Sequence, residues 1–433
     1  MALGTLVLGV ALAAAPSEDL LGVYRFPDGR LAGVRPVADE DAWRYVDFAT
    51  GASHKMHRAE GGGFQSSDDW ASAAPVRLRY RFDLGPGSRA RALVLEGADG
   101  RREKAVRVGV RERGATFTSA NTALYGKLVL PAGGGPRHPV VVFVHGSDNA
   151  PSVDRELLPY LLAANGIGGF VFDKRGTGRS HGEYTQLFQV LADDVVAGVR
   201  WLRKQKDVNG ARIGLAGFSQ GGWVAPLAAS REPAVRFVLV GYGLAMPVAD
   251  EDRLEAPLKL GSMGLDPAAI REFEEVNAVL HATARGGFTA EGWRRLEEKL
   301  AAYAGRPWLE KARGTETWLG QLLAMGMEQA RDRVPRLFTT FFDPFYDPVP
   351  TLASLDVPML WLLAAEDIEA PPGPTVAVLE RLRGAGKPVE VVVFPGTDHG
   401  IREFVAGPGG RTTTRYAPGY FKAVVDWLKR QTR

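Results

Sequence analysis

The stretch Arg212–Ser230, RIGLAGFSQGGWVAPLAAS, constrains the fold of this chain more than any other. An apolar run ends at Gly217-Phe218-Ser219-Gln220-Gly221, and an alanine-rich, helix-like run follows it. A serine set between glycines at minus two and plus two, where a buried strand turns into a helix, is held in a strained conformation. Its hydroxyl then projects from the end of a sheet. Side chains at either glycine position would crowd the neighbouring strand and helix. The helix N-terminus adds a partial positive charge where an oxyanion would form. Ser219 is therefore the candidate nucleophile, against the alternative of a purely structural glycine turn. Pro226 lies inside the expected helix and predicts a kink or an irregular turn there.

The flanking text supplies the sheet that such a turn needs. VVVFVHG (140–146) is a continuous β-branched apolar run, the pattern of a strand buried on both faces. Helical RELLPYLLAANG (155–166), strand GGFVFDKRG (168–176), helical LADDVVAGVRWLRKQ (191–205) and strand VRFVLVGY (235–242) alternate around it. The alternation resumes with PMLWLLAAED (358–367), TVAVLERLRGAG (375–386), VEVVVFPG (389–396) and YFKAVVDWLKR (420–430). Strands alternating with helices predict a mostly parallel sheet of the α/β class, over 116–243 and 351–433. The alternation stops over 244–350. There AAIREFEEVNAVLHATA (268–284), WRRLEEKLAAY (293–303) and TWLGQLLAMGMEQA (317–330) carry the apolar spacing of amphipathic helices. An insertion of that length is expected to have a role of its own. Its Trp293, Trp308, Trp318, Met325, Met327, Phe338, Phe341 and Phe342 divide between core and a candidate apolar pocket.

Residues 20–113 read as an antiparallel β domain, with period-two runs punctuated at Pro27-Asp28-Gly29, Thr50-Gly51 and Asp99-Gly100. The arginines alternating in VRLRYRFDL (76–84) predict a solvated face. His54 and His57 lack an evident third ligand and are expected on the surface. The N-terminal run Ala2–Ala15 is too short to span a bilayer and ends in small residues. Residues 1–15 are expected to be a secretory signal peptide, giving a periplasmic or secreted protein with no stable membrane insertion; a cytoplasmic location is the alternative. The chain has no cysteine, which excludes disulfides, zinc–thiolate sites and a thiol nucleophile. A net charge of +3, with 53 basic and 50 acidic residues, gives no footprint of a nucleic-acid partner.

A serine hydroxyl needs a base to take its proton and a third group to orient that base. In sites of this kind an acid and then a histidine follow the nucleophile along the chain. Two histidines follow Ser219. His281 sits at an amphipathic position of the insertion and is expected on a helix surface. His399, in VVVFPGTDHGI, follows the last strongly apolar strand and is the expected base. The acid should follow PMLWLLAAED, which offers Glu366, Asp367 and the more distant Glu369; Asp367 is the choice. The expected oxyanion donors are the backbone N–H of Gln220 and that of Ser147 in the loop after VVVFV, with Asp148 the alternate. His145 is expected to shape that loop, and Asp173 and Arg175 to brace theirs. No metal or cofactor is required.

Together HGS (145–147), DKRGTGRS (173–180), GFSQGG (217–222) and AAED (364–367) with DHG (398–400) resemble the α/β-hydrolase superfamily, from Thr116 to the C-terminus. The nearest look is to bacterial hydrolases related to serine aminopeptidases, dienelactone hydrolases and deacetylase-type esterases. The resemblance implies helices on both faces of the sheet and a helical cap at 244–350. Relatives often carry G-x-x-D-x-x-V-P at the acid. Here Ala364-Ala365-Glu366-Asp367-Ile368-Glu369-Ala370-Pro371 replaces the glycine but keeps the Asp-to-Pro spacing, which supports Asp367. The implied function is hydrolysis of carboxylic esters through an acyl-enzyme. The alternatives are a serine aminopeptidase, whose substrate amine would be anchored by Glu366, Glu369 or the Asp250–Glu255 run, an acyltransferase, and an inactive binding protein. The expected partner is a small ester or a short peptide; sequence leaves the oligomeric state open.

Overall fold

The computed structural model describes residues 19–38, 40–407 and 410–433. The run expected to be a signal peptide lies outside them. In the N-terminal part, the alternating segments form β1 (Gly22–Arg25), β2 (Leu31–Pro36), β3 (Trp43–Asp47), β4 (Ser53–Arg58), β5 (Phe64–Ser66), β6 (Leu78–Leu84), β7 (Ala90–Gly97) and β8 (Arg102–Arg107). They pair antiparallel in chain order, and β1 closes on β8 with Tyr24 opposite Arg107, making a closed barrel. Closure leaves no open edge. Tyr24, Tyr45, Tyr80, Met56 and Leu93 fill the interior, while Arg79 and Arg81 of β6 point to solvent. The three residues of β5 are too few to show a period in the sequence, so the hairpins are legible there and the closure is not. His54 is not a surface residue: its ring is buried, stacks on Tyr45 and places Nδ1 3.1 Å from the Asp69 carbonyl.

The main sheet is built from β9 (Val110–Ser119), β10 (Thr122–Pro131), β11 (His138–Val144), β12 (Gly168–Phe172), β13 (Val208–Phe218), β14 (Val235–Gly241), β15 (Met359–Ala364) and β16 (Val389–Phe394). Their order is β16-β15-β14-β13-β11-β12-β10-β9. β10 runs antiparallel to β9 and β12, and the strands from β12 to β16 are parallel. The β-branched run of β11 shows why: Val140, Val142 and Val144 pack into the core on one face, Val141 and Phe143 into that on the other. Helices α1 (Leu158–Ala163) and α12 (Tyr420–Gln431) cover the face shared with the barrel. α2 (Phe188–Arg203) and α3 (Gly221–Arg231) cover the opposite face, where the cap also packs. α3 runs through Pro226 as one helix.

The cap comprises α4 (Val248–Ser262), α5 (Pro267–Arg285), α6 (Ala290–Ala302), α7 (Pro307–Ala312), α8 (Trp318–Met325) and α9 (Met327–Thr340). The pattern over 317–330 reads as one helix but makes two, because Gly326 breaks the chain direction at φ +79°. α4 escapes the sequence pattern, being rich in acids and carrying Pro257. Trp293, Trp308 and Trp318 are buried in the cap core. His281 is also drawn inward: its ring stacks on Trp318 at 4.5 Å and its Nε2 lies 2.7 Å from Asp252 Oδ2.

After α10 (Val349–Ser354), β15, α11 (Pro372–Gly384) and β16, a small sheet of β17 (Thr397–Asp398), β18 (Arg402–Gly407) and β19 (Gly410–Tyr416) links the main sheet to the barrel. Tyr416 N–H donates to the Gly51 carbonyl at 2.9 Å, and Phe48 of the barrel packs edge-on against Phe421 of α12 at 4.9 Å. Truncating Phe421 to alanine should lower stability by about 3–5 kcal/mol. In a double-mutant cycle with Phe48→Ala, read by urea denaturation, the pair should couple by about 1 kcal/mol. Strict additivity would contradict the contact.

Candidate active site

The chain leaves β13 at Phe218 and enters α3 at Gly221, so Ser219 and Gln220 make the whole turn. Ser219 adopts φ +52°, a left-handed conformation costly for a residue with a side chain. Its N–H donates to the Gly241 carbonyl at 3.0 Å, which fixes the strained residue to β14. A Cβ at Gly217 would lie 2.1 Å from the Gly221 carbonyl oxygen, and one at Gly221 would lie 2.3 Å from that of Val144. The two glycines therefore let α3 start directly against β13 and β11. Gln220 occupies the N-terminal cap position of α3, at the positive end of its dipole.

His399 follows β17 on the loop before β18. Its Nδ1 lies 2.9 Å from Asp367 Oδ2, and Asp367 is 3 % exposed. The other carboxylate oxygen, Oδ1, accepts the N–H groups of Glu369 at 2.9 Å and Ala370 at 2.8 Å. The acid is thereby aimed at the imidazole. The histidine backbone is fixed too: Asp398 Oδ1 accepts its N–H at 2.8 Å and Arg402 Nε donates to its carbonyl at 2.6 Å. The Tyr242 ring packs edge-on against the imidazole at 4.9 Å. Burial alone would depress the His399 pKa, but the charge and hydrogen bond of Asp367, with Glu369 adding, outweigh it and raise it above the ordinary value. Glu366 does not join them; its side chain is exposed, and its backbone pairs with Thr397 at 2.9 Å. Glu369 Oε2 stands 3.8 Å from His399 Nε2. No hydrogen bond joins Ser219 to His399 among the described residues, as is common where such bonds tighten only on substrate.

Across from the turn, the loop after β11 brings Gly146 against the serine. A Cβ at Gly146 would lie 3.4 Å from Ser219 Cβ and 3.8 Å from its Oγ. Ser147 is the next residue, and none of the loop and turn backbone hydrogen bonds among the described residues uses its N–H. Three side chains invisible to sequence reasoning hold this loop. Lys174 Nζ donates to the Gly146 carbonyl at 2.5 Å, Tyr184 Oη donates to the Ser147 carbonyl, and Gln186 Nε2 reaches the same carbonyl at 3.4 Å. Lys174 lies within the quoted DKRGTGRS, but nothing in that run signals its burial. Asp173 braces the neighbouring loop, Oδ1 accepting the Ser152 N–H at 2.8 Å and Val153 N–H at 3.0 Å. Arg175 pairs with Asp194 through two bonds of 2.8 and 2.6 Å. Burial, with the charge of Lys174 adding, holds the His145 pKa well below its ordinary value, so that ring is neutral.

The cap and the barrel both reach the site. Glu251 of α4 is buried and within electrostatic range of His399; burial pushes its pKa up, and the nearby Glu255 and Asp252 push the same way. On the other side, a cavity of about 430 Å³ is lined by Arg35 and Phe48 of the barrel together with Gly146, Phe218, Tyr242 and Gly400. Among the described residues no group of three or more histidine, aspartate and glutamate side chains is arranged to hold a metal. No helix there is long and apolar enough to cross a membrane.

A strained serine on a strand-to-helix turn of a parallel sheet, with a buried Asp–His pair beside it, is the arrangement typical of the α/β-hydrolase fold. The sequence model of the serine aminopeptidase (S33) family matches residues 135–403, and the chain belongs to that family. Among curated proteins it is similar to the uncharacterized 31.7 kDa protein in the traX-finO intergenic region of Escherichia coli. There the identity is 33% over 110 residues, 24% of this chain and 37% of the relative. It is similar also to the uncharacterized protein YfhR of Salmonella typhimurium, 36% identical over 110 residues, 25% of this chain and 37% of the relative. The chain thus spans little more than a third of the length of these relatives. Among solved structures it is similar to the α/β hydrolase GrgF from Penicillium sp. sh18, at 19% identity and TM-score 0.47, covering 74% of this chain and 99% of that one. The acylaminoacyl peptidase of Pyrococcus horikoshii is similar at 15% identity and TM-score 0.47, covering 92% and 56%.

Gly217→Ala should force α3 off β13, since its Cβ would meet backbone rather than a movable side chain. The expected result is a loss of several kcal/mol in chemical denaturation or failure to accumulate as folded protein. A variant as stable as the parent would contradict the close approach.

Proposed function

We propose that the chain hydrolyses carboxylic esters through an acyl-enzyme. Ser219 Oγ attacks the carbonyl, and His399 takes its proton and passes it to the leaving alcohol. Asp367 holds the imidazole in the reactive tautomer and stabilises the imidazolium. The N–H groups of Gln220 and Ser147 receive the oxyanion. Water activated by His399 then releases the acid. The observation that carries this reading is the buried 2.9 Å contact between Asp367 and His399 at the same end of the sheet as the strained serine. Ser219→Ala should leave a folded protein with turnover of p-nitrophenyl acetate reduced roughly 10⁴-fold or more. Asp367→Asn should cost roughly 10⁴-fold, and Glu366→Gln should stay within about twofold because its side chain is exposed. Equal losses for the two acid variants would refute the assignment.

The pH profile tests the same pair. The base acts only when neutral, so kcat/KM should rise as His399 loses its proton. Because its pKa is raised, that limb should lie above the ordinary histidine value of about 6.5. Asp367→Asn leaves burial as the dominant influence and should move the limb to lower pH. A limb that does not move would separate Asp367 from the base.

A second reading, cleavage of a peptide amide after a free N-terminal residue, is favoured by Glu251 and Glu255. Both are buried on α4, and Glu251 lies within electrostatic range of His399. A substrate ammonium would be attracted by this group of buried acids, of which Glu255 already pairs with Lys259 at 3.1 Å. On this reading aminoacyl p-nitroanilides with a free amine turn over and their N-acetylated forms do not. Glu251→Gln then raises KM for the free amine at least roughly tenfold without changing p-nitrophenyl acetate kinetics. Equal rates on free and acetylated anilides would leave the ester reading alone.

A further inference from the structure

We propose that Lys174 is a positioning residue for the oxyanion site: by donating to the Gly146 carbonyl it orients and polarises the peptide unit whose N–H belongs to Ser147. This rests on the proposed function, in which the Ser147 N–H receives the oxyanion. The geometry is specific. Lys174 Nζ lies 2.5 Å from Gly146 O. In a trans peptide the C=O of residue 146 and the N–H of residue 147 point to opposite sides of one plane. Fixing the oxygen therefore fixes the direction of the N–H. Gly146 is the residue that abuts Ser219, so the oriented peptide lies beside the nucleophile. An ammonium on the carbonyl oxygen also draws electron density from the amide and strengthens its N–H as a donor.

The lysine is itself held for this task. It follows Asp173, whose carboxylate accepts the N–H groups of Ser152, Val153 and Arg179. The Lys174 carbonyl accepts both the N–H and the hydroxyl of Thr177, at 3.0 and 2.8 Å. The side chain is 4 % exposed and passes over the Tyr184 ring, with Nζ 5.1 Å from its centre. Tyr184 and Gln186 hold the Ser147 carbonyl, so both carbonyls flanking the donor are occupied by side chains from one loop between β12 and α2. A lysine buried only for packing would be costly, because a long apolar residue could fill the space without desolvating a charge. The groups facing the ammonium are Asp148, the aromatic face of Tyr184 and the neutral His145. Burial pushes the Lys174 pKa down to about 8, with Asp148 partly opposing it.

Two measurements test this. In the wild-type protein, kcat for p-nitrophenyl acetate, corrected for spontaneous hydrolysis, should fall on the alkaline side as Lys174 loses its proton near pH 8. In Lys174→Met and Lys174→Gln the alkaline fall should disappear. At pH 7 kcat should drop roughly 10- to 100-fold with KM changed less than about threefold, since the contact acts on the transition state. Gln, which keeps a neutral donor, should lose less than Met. A flat wild-type kcat from pH 7 to 10 would overturn the proposal even where the variants fail to fold. So would variants with wild-type kcat and pH profile. Ser219→Ala assayed alongside separates the two levels: if it turns over like wild type, the proposed function itself falls and this inference with it.

Discussion

The approach of α3 to β13 and β11 is the constraint on which the rest of the molecule depends. At Gly217 and Gly221 the backbones meet so closely that a methyl group would sit 2.1 and 2.3 Å from carbonyl oxygens. Only because those atoms are missing can the chain turn from strand to helix within two residues. That short turn forces Ser219 to φ +52° and sets Gln220 at the helix start. The strain is local and is balanced by the surrounding sheet, whose β11 and β14 flank the strand on either side.

Around this turn, several separately supported loops converge. The loop after β15 carries Asp367, held by two backbone N–H groups, and the one after β16 carries His399, held by Asp398 and Arg402. The loop after β11 carries Ser147, held through the carbonyls on either side of it. In each case neighbouring polar groups take up the structural hydrogen bonds that hold the loop. The hairpin of β18 and β19 extends the His399 loop to the barrel, where β19 meets the turn at Gly51. The barrel is therefore mechanically joined to the element bearing His399, and it contributes walls to the cavity beside Gly146 and Gly400. From the opposite face the cap contributes the buried carboxyl groups of Glu251, Asp252 and Glu255 on α4.

The parts of this arrangement legible in the sequence are those encoded by short-range pattern. Buried β-branched runs mark β11 and β14, and a serine between glycines marks the turn. The order of acid and histidine picks Asp367 and His399, which the fold brings together at 2.9 Å. What was hidden depends on tertiary environment. Nothing near Lys174 in the chain distinguishes a buried ammonium from the exposed one usual for lysine. His54 and His281 carry polar neighbours in sequence, yet both are drawn against aromatic rings inside the barrel and the cap. α4 is hidden because its acids look like a solvated face, whereas Glu251, Asp252 and Glu255 are buried. Barrel closure is hidden because pairing between β1 and β8 spans the whole N-terminal part and leaves no local mark.

The central claim is that Ser219 is an activated nucleophile rather than a strained structural turn. Reaction of the purified protein with a fluorophosphonate, followed by peptide mass spectrometry, tests it most directly. The account predicts one covalent adduct, on Ser219, absent in Ser219→Ala. Folded protein that stays unlabelled, or labelling at another serine with Ser219 untouched, would contradict it.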